Sequence, residues 1–539
     1  MQRNRRVGLA FDLPSWCMLN DMLAASLLTL PMPPPPRYDL VVRDGRVLDG
    51  AGNPPFRADI GVRRGRIAAI GQRLGPGRIE VNARGKIVAP GFIDVHTHGE
   101  DIERLPLAEN FIRQGVTTII LGNCGESRSD LGRYFGVLDR TGIAPNVASL
   151  IGHGTVRGRA MGGSFSRRPT DAEMDKMKGL VDRAMRAGAL GMSTGLIYQP
   201  GVFATTEELI ELSRVVARYD GIYTSHMRSE GNAILAALAE VFAVAEGAGV
   251  RCEVSHIKLS GNNNWGRAAE ILGVIAGARA RGLDITQDQY VYTASSTTLS
   301  QLVPQWARVG GADGYRARLA DPQQKGTIVE EMKAALAGRG KDTYDWVTIT
   351  SCQSDPALNG RSIPEAARQR IGKDDLDAQI QLILDLHGAG SAGAVFHGIG
   401  EEDLQVFLKH PNTMIGSDSG VREFGKDVPH PRGYGAFARV LGRYVRELGV
   451  LSLEDAVRKM TSLPAVTFRI EDRGLIRERM WADLVVFDPD TVTDRATFRE
   501  PHQYAEGIDY VLINGVPVVA DGKPTGARPG KTLRRRAPR

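Results

Sequence analysis

Two histidines stand one residue apart in "GFIDVHTHGE" (Gly91–Glu100), His96 and His98, in a chain of 539 residues with only 10 histidines. They follow an apolar run that reads as a strand giving way to a loop. Residues two apart on an extended segment project to one side, so both imidazoles can serve one ligand. Further along, His226 ends the strand of "GIYTSHMRSEG", His256 ends that of "VRCEVSHIK", Cys124 follows the apolar "TTIILGNCGES", and Asp418 follows a late strand in "NTMIGSDSG". Alone, a strand-end histidine is commonly a hydrogen-bonded structural residue, a buried cysteine inert, and an aspartate a turn cap. Together they are the donor types of a zinc site. Thiolate and imidazole suit the metal, and a carboxylate can hold it or move the proton of a bound water.

Such residues meet only if the fold gathers strand ends. From about Gly91 to Met460, apolar strands alternate with amphipathic helices, the signature of a βα-repeat fold. In "TTEELIELSRVVARYD" the spacing predicts a capping box from Thr205 and Glu208, then a helix with Leu209, Leu212 and Val216 on one face. "NAILAALAEVFAVAEGAG" and "RAAEILGVIAGARARG" read as the next helices, each leading to a strand with a polar end. The span suits a (β/α)8 TIM-like barrel with an insertion, in which the C-terminal ends of the strands converge on one face. A doubly wound open sheet is the rival. No glycine-rich dinucleotide fingerprint follows the early strands, which weakens it.

Outside this span, "YDLVVRDGRVLDG" and "ADIGVRRGRIAAIG" alternate apolar with polar residues and break at Asp44-Gly45, Gly50 and Arg64-Gly65, as hairpins do. The texture returns in "ADLVVFDPDTV" and "DYVLINGVPVVADGK", with Asn514-Gly515 as a turn signal. The predicted organisation is a small β-sandwich from residues 37–90 and 466–527 together, a catalytic barrel over 91–465 with an insertion at about 295–361, and a basic tail at 528–539. Residues 1–36, with a basic start, interrupted apolar stretches and a four-proline run, read as a disordered leader or misassigned start. The net charge of +6 comes from that tail, which holds Arg528, Lys531, Arg534, Arg535, Arg536 and Arg539 and is expected to be a solvated end. Neither a nucleic-acid nor a membrane partner is expected, and no window is apolar enough for a membrane span. Four scattered cysteines make no disulfide framework, so a reducing, cytoplasmic compartment is the simpler reading.

"GNCGES", "GMSTGLIYQPG", "SHMRSEG", "VSHIK", "DQYVYTASST", "HPRGYGAF", "TSLPA" and "DYVLINGVPVVADGKPTGARPG" occur in that order. With His-x-His after the first barrel strand and a late aspartate, this set resembles the D-aminoacylase, or N-acyl-D-amino-acid deacylase, family of the amidohydrolase superfamily, over nearly everything after residue 37. The resemblance implies Cys124, His226 and His256 as ligands of one tightly held Zn2+, with His96, His98 and Asp418 around a second, weaker position. It also implies Asp418 as the catalytic acid/base.

Many superfamily relatives bridge two metals with a carboxylated lysine. Between His98 and His226 only Lys176 and Lys178 are available, on a predicted helix, which argues against a dihydroorotase or hydantoinase. The expected reaction is zinc-dependent hydrolysis of a small N-acyl-D-amino acid. Zinc acidifies a water and polarises the amide, and Asp418 takes the proton and delivers it to the departing amine. The family places Lys258 and Arg432, with Tyr290 or Tyr292, against the substrate carboxylate, for which arginine offers a bidentate fork. Leu299, Leu302, Val303 and Trp306 in the insertion favour an apolar side chain.

One departure is that Arg479-Met480-Trp481 stands where a glycine is expected before "ADLVVF". The alternatives are an isoaspartyl dipeptidase-like or cyclic-amide hydrolase, and a non-catalytic relative. The last is disfavoured because all six metal-site residues are present.

Overall fold

The computed structural model describes residues 37–163 and 165–535. The leader reading of residues 1–36 and the tail residues 536–539 lie outside the described residues. Eight parallel strands form the barrel: β1 (Phe92–Asp94), β2 (Val116–Leu121), β3 (Asn146–Ser149, resuming at Ile151–Gly152), β4 (Gly191–Gly195), β5 (Ile222–His226), β6 (Arg251–Val254), β7 (Ile285–Gln289) and β8 (Thr413–Ile415). β1 to β3 pair in sequence, as do β3 to β7, and β8 pairs with β7. A parallel bridge between Thr97 and Ser419 closes the ring, with Asp418 N donating to His96 O at 2.8 Å and His98 N to Ser419 O at 2.9 Å. Closure therefore falls at the residues expected to do chemistry.

Helices cover the outside, so the strands are buried on both faces. Thr205 caps the helix Thr206–Ala217 by accepting from Glu208 N at 3.3 Å. The expected capping box does not close, because the Glu208 carboxylate turns instead to His153 Nε2 at 2.8 Å and to Arg157, all three buried. Pairing the buried Arg157 guanidinium and bonding the buried His153 ring outweighs satisfying one backbone donor.

Both chain ends contribute to one nine-stranded sheet, where Leu484–Phe487 runs antiparallel to Ile87–Pro90. Arg64-Gly65 and Asn514-Gly515 are tight turns, both residues of each with positive φ, as two-residue hairpins require. Asp44-Gly45 is not a hairpin turn. It is a bulge within one continuous strand, Tyr38–Val47, whose register with Phe56–Arg63 shifts between Val42 and Gly45. The position expected to hold glycine before "ADLVVF" is served by Arg479, which itself adopts φ 74°. Trp481 then pairs with Arg66, whose guanidinium carbon lies 4.4 Å from the ring centroid.

The insertion carries its own three-stranded antiparallel sheet (Ala294–Thr298, Val347–Ser351, Gly393–His397) and its own core. It thus runs to His397, past the expected end at Arg361, because the strand at Gly393–His397 is the central one. Leu299 and Val303 are buried in that core, with Trp306 packed against it; of the four residues expected to select a side chain, Leu302 alone lines the central cavity. The tail is not a free end over its described part. Thr532 bridges to Val147, Leu533 N donates to Val147 O at 2.7 Å, and Arg535 donates to Asp220 Oδ2 at 2.6 Å. Among the described residues, no helix is long and apolar enough to cross a membrane.

Candidate metal centre

His226 is the last residue of β5, while His96, Cys124, His256 and Asp418 lie two or three residues past β1, β2, β6 and β8, with His98 two further on. Cys124 Sγ lies 3.2 Å from His96 Nε2, 3.7 Å from His226 Nδ1 and 3.5 Å from His256 Nε2. Asp418 Oδ1 lies 3.1 Å from His98 Nε2 and 3.6 Å from His96 Nε2. A tetrahedral zinc with bonds of about 2.3 Å to sulfur and 2.0 Å to nitrogen sets its ligand atoms roughly 3.5 Å apart. Cys124 Sγ has that spacing from the His226 and His256 atoms, and the trios His96, His98, Cys124 and His96, His256, Asp418 are also close enough to share an ion. The donor set fits a zinc, with room for a second ion beside it.

Three of these residues occupy the left-handed region: Cys124 at φ 52°, His256 at φ 38° and Asp418 at φ 51°. Non-glycine residues held there are costly, and such strain concentrates where geometry serves a site. Gly122 lets β2 turn inward toward Cys124, since a Cβ there would lie 2.1 Å from Leu150 O. Gly195 on β4 passes as close to Cys124 itself, whose carbonyl oxygen would be 2.1 Å from a Cβ.

Burial, reinforced by neighbouring positive charge, pushes His226 well below the usual imidazole range and lowers His256, so both rings stay neutral, the ligating form. Burial also drives the Cys124 thiol well up, so a cation at the site is what would draw out its thiolate. Asp418 goes the other way. Against the burial penalty, Arg432 and then the hydrogen bond from His98 hold its carboxyl well below the usual range.

Two residues that sequence reasoning missed aim these rings. Asp288 Oδ2 lies 3.1 Å from His96 Nδ1, and Glu230 Oε1 lies 2.9 Å from His256 Nδ1, so each carboxylate turns the other ring nitrogen toward Cys124. The signal for Asp288 was the polar "TQDQ" inside the fully buried β7; Glu230 follows a strand end and carried none. Glu230 remains ionised, its carboxyl driven far down against burial by Lys258 and His256.

The four residues expected to read a substrate carboxylate divide. Arg432 Nη1 lies 2.8 Å from Asp418 Oδ2, with its guanidinium carbon 4.5 Å from the Tyr290 ring centroid, and Tyr290 presents a buried hydroxyl with no partner. Lys258 lines the same cavity, but its ammonium is bonded to Glu230 and lies 2.8 Å from His256 Nδ1. Tyr292 does not belong with them. Beyond Gln289 the chain leaves β7, strand alternation no longer governs direction, and the Tyr292 hydroxyl donates to Asp494 Oδ2 at 3.2 Å, away from the cavity. Lys176 and Lys178 are tied elsewhere, to Ala160 O and Glu211. The cavity over the centre holds about 900 Å³, with Leu302, Trp346 and Phe396 of the insertion on its wall.

A family model described as the amidohydrolase family matches residues 80–519. The chain is 38% identical to the D-aminoacylase of Alcaligenes xylosoxydans xylosoxydans, over 93% of this chain and 98% of that one. A crystal structure of N-acyl-D-glutamate deacylase from Bordetella bronchiseptica, complexed with zinc and a phosphonate mimic of the tetrahedral intermediate, is similar at 38% identity and TM-score 0.78, covering 92% of this chain and 99% of that chain. A crystal structure of D-aminoacylase is similar at 37% identity and TM-score 0.79, covering 92% and 100%.

Proposed function

The chain belongs to the amidohydrolase family, and we propose that it is a zinc-dependent deacylase that hydrolyses N-acyl-D-amino acids to a carboxylic acid and a free D-amino acid. The observation that carries this reading is the mutual spacing of Cys124 Sγ, His226 Nδ1 and His256 Nε2 beside the His98–Asp418 pair. Cys124, His226 and His256 would hold the tight zinc, and His96, His98 and Asp418 would flank a second, weaker position. Bound zinc polarises the amide carbonyl and acidifies a water.

The protein's own groups do the rest. Asp418, held ionised, is a base when substrate arrives. It takes the water proton as the water oxygen bonds to the carbonyl carbon. It returns the proton to nitrogen as the carbon–nitrogen bond breaks, so one water is consumed and acid and amine are released. Arg432 and the unpartnered Tyr290 hydroxyl would receive the substrate α-carboxylate, with Lys258 completing the cationic wall. Chirality follows from the relatives' chemistry and requires its own test. Zinc-loaded protein should hydrolyse N-acetyl-D-leucine much faster than N-acetyl-L-leucine, and faster than it opens a hydantoin. Preference for the hydantoin would place the chain with cyclic-amide hydrolases instead.

A further inference from the structure

Arg432 opens the helix Arg432–Arg439, so its N–H is one of those that a helix leaves without an intrahelical acceptor. Pro431 before it has no side-chain acceptor to offer. His430 supplies one, since Arg432 N donates to His430 Nδ1 at 3.0 Å. The other ring nitrogen, Nε2, lies 2.9 Å from Ala294 O. A carbonyl can only accept, so the ring proton sits on Nε2 and Nδ1 is left as the acceptor for Arg432. Burial, and after it the charge of Arg432, hold this imidazole well below its usual range, which keeps it neutral and the tautomer in place.

His430 is buried and does not line the cavity. Tyr290, Tyr292 and Phe498 surround its ring edge-on, with centroids 6.2, 5.3 and 5.0 Å away, so the imidazole has little freedom to turn. Ala294 begins the first strand of the insertion and pairs there with His397, the end of the central strand. On the same first strand, Ser296 O accepts from Arg432 Nη2 at 3.4 Å. The base of the insertion thus holds both the ring that fixes the Arg432 backbone and the guanidinium itself. Resting on the deacylase reading above, we infer that His430 is a positioning residue: its bond to Arg432 N, oriented by Ala294, sets the guanidinium between Asp418 and the substrate α-carboxylate. Preference for a free α-carboxylate then depends on a residue that touches no substrate. Such groups must be held to within about 0.5 Å, and a displacement of about 1 Å can cost about a hundredfold in rate.

The test uses the zinc-loaded full chain and the ratio of kcat/KM for N-acetyl-D-leucine to that for its neutral amide, which reads the clamp separately from the chemistry. In His430→Leu, which stays apolar and loses both bonds, the ratio should fall by about tenfold or more, chiefly through KM for the acid, with zinc content unchanged. His430→Asn, whose side-chain oxygen can accept from Arg432 N, should keep most of the ratio. In an Arg432→Met background, His430→Leu should lower the ratio no further, because it acts through that arginine. Should His430→Leu fail to fold, His430→Gln, which reaches Ala294 O but places no acceptor at the Nδ1 position, replaces it in each comparison. The inference is overturned if the bond-losing variant lowers both rates equally and leaves the ratio parental, if His430→Asn does no better, or if its loss adds to that of Arg432→Met. Each of those results leaves the deacylase reading standing, because the parent still hydrolyses the acid. A parent that hydrolyses no N-acyl-D-amino acid overturns both.

Discussion

Glu230 supports two neighbours at once, and removing its charge separates their contributions. Its carboxylate pairs with Lys258, whose side chain is 4% exposed, and accepts from His256 Nδ1 at 2.9 Å. Glu230→Gln keeps the shape but leaves the Lys258 ammonium buried without a counter-charge, a change that costs about 3–5 kcal/mol when one partner of a buried pair is removed. The same substitution weakens the hold on the His256 ring, and loss of such an outer contact lowers metal affinity by about 10- to 100-fold. Adding Lys258→Met removes the stranded charge, so the double variant should recover most of the stability while zinc affinity stays low. The assays are denaturant unfolding of the metal-free protein and competition for zinc with a chelator, across parent, both single variants and the double. A loss below about 1 kcal/mol with parental zinc affinity in Glu230→Gln would refute the reasoning, because a carboxylate in those two contacts cannot be removed without consequence.

Asp418→Asn should retain the tightly bound zinc and lower kcat by about 10²- to 10⁴-fold, measured by metal analysis and steady-state kinetics on one sample. Arg432→Met should lower kcat/KM by about tenfold to a hundredfold on an N-acyl-D-amino acid and much less on its neutral amide, with equal losses counting against carboxylate recognition. Arg479→Gly relieves a left-handed arginine in the chain-end sheet, and thermal unfolding should show no loss and a gain of up to about 1 kcal/mol.

The barrel and the six candidate residues it gathers at its strand ends were legible because parallel strands read as apolar runs and a polar residue at the end of such a run has few structural reasons to be there. His96, Cys124, His226, His256 and Asp418 all carried that signature. What stayed hidden depends on local geometry. Tyr290 and Tyr292 both lie past the end of β7 and the family pattern left the choice between them open, so only the fold shows that Tyr292 turns to Asp494. Asp44-Gly45 suits a turn and a bulge equally, and only pairing with Phe56–Arg63 decides between them. Leu299 and Val303 looked available for substrate because nothing in the sequence shows that the insertion must fill a core of its own. Lys531 and Arg535 looked like solvated tail charges, whereas the backbone of this segment pairs alongside β3 and Arg535 finds Asp220. The left-handed backbone at Cys124 had no sequence signal, since cysteine does not favour it, and the modest preference of histidine is too weak to single out His256.

The central claim is that Cys124, His226 and His256 hold a catalytic zinc, and metal content measured together with activity in Cys124→Ala tests it most directly. The parent should retain close to one zinc per chain through dialysis, with deacylation of an N-acyl-D-amino acid rising in proportion to zinc restored to stripped protein. Cys124→Ala should lose both zinc and activity while remaining folded by circular dichroism. A Cys124→Ala protein that keeps the parental zinc content and turnover would contradict the account.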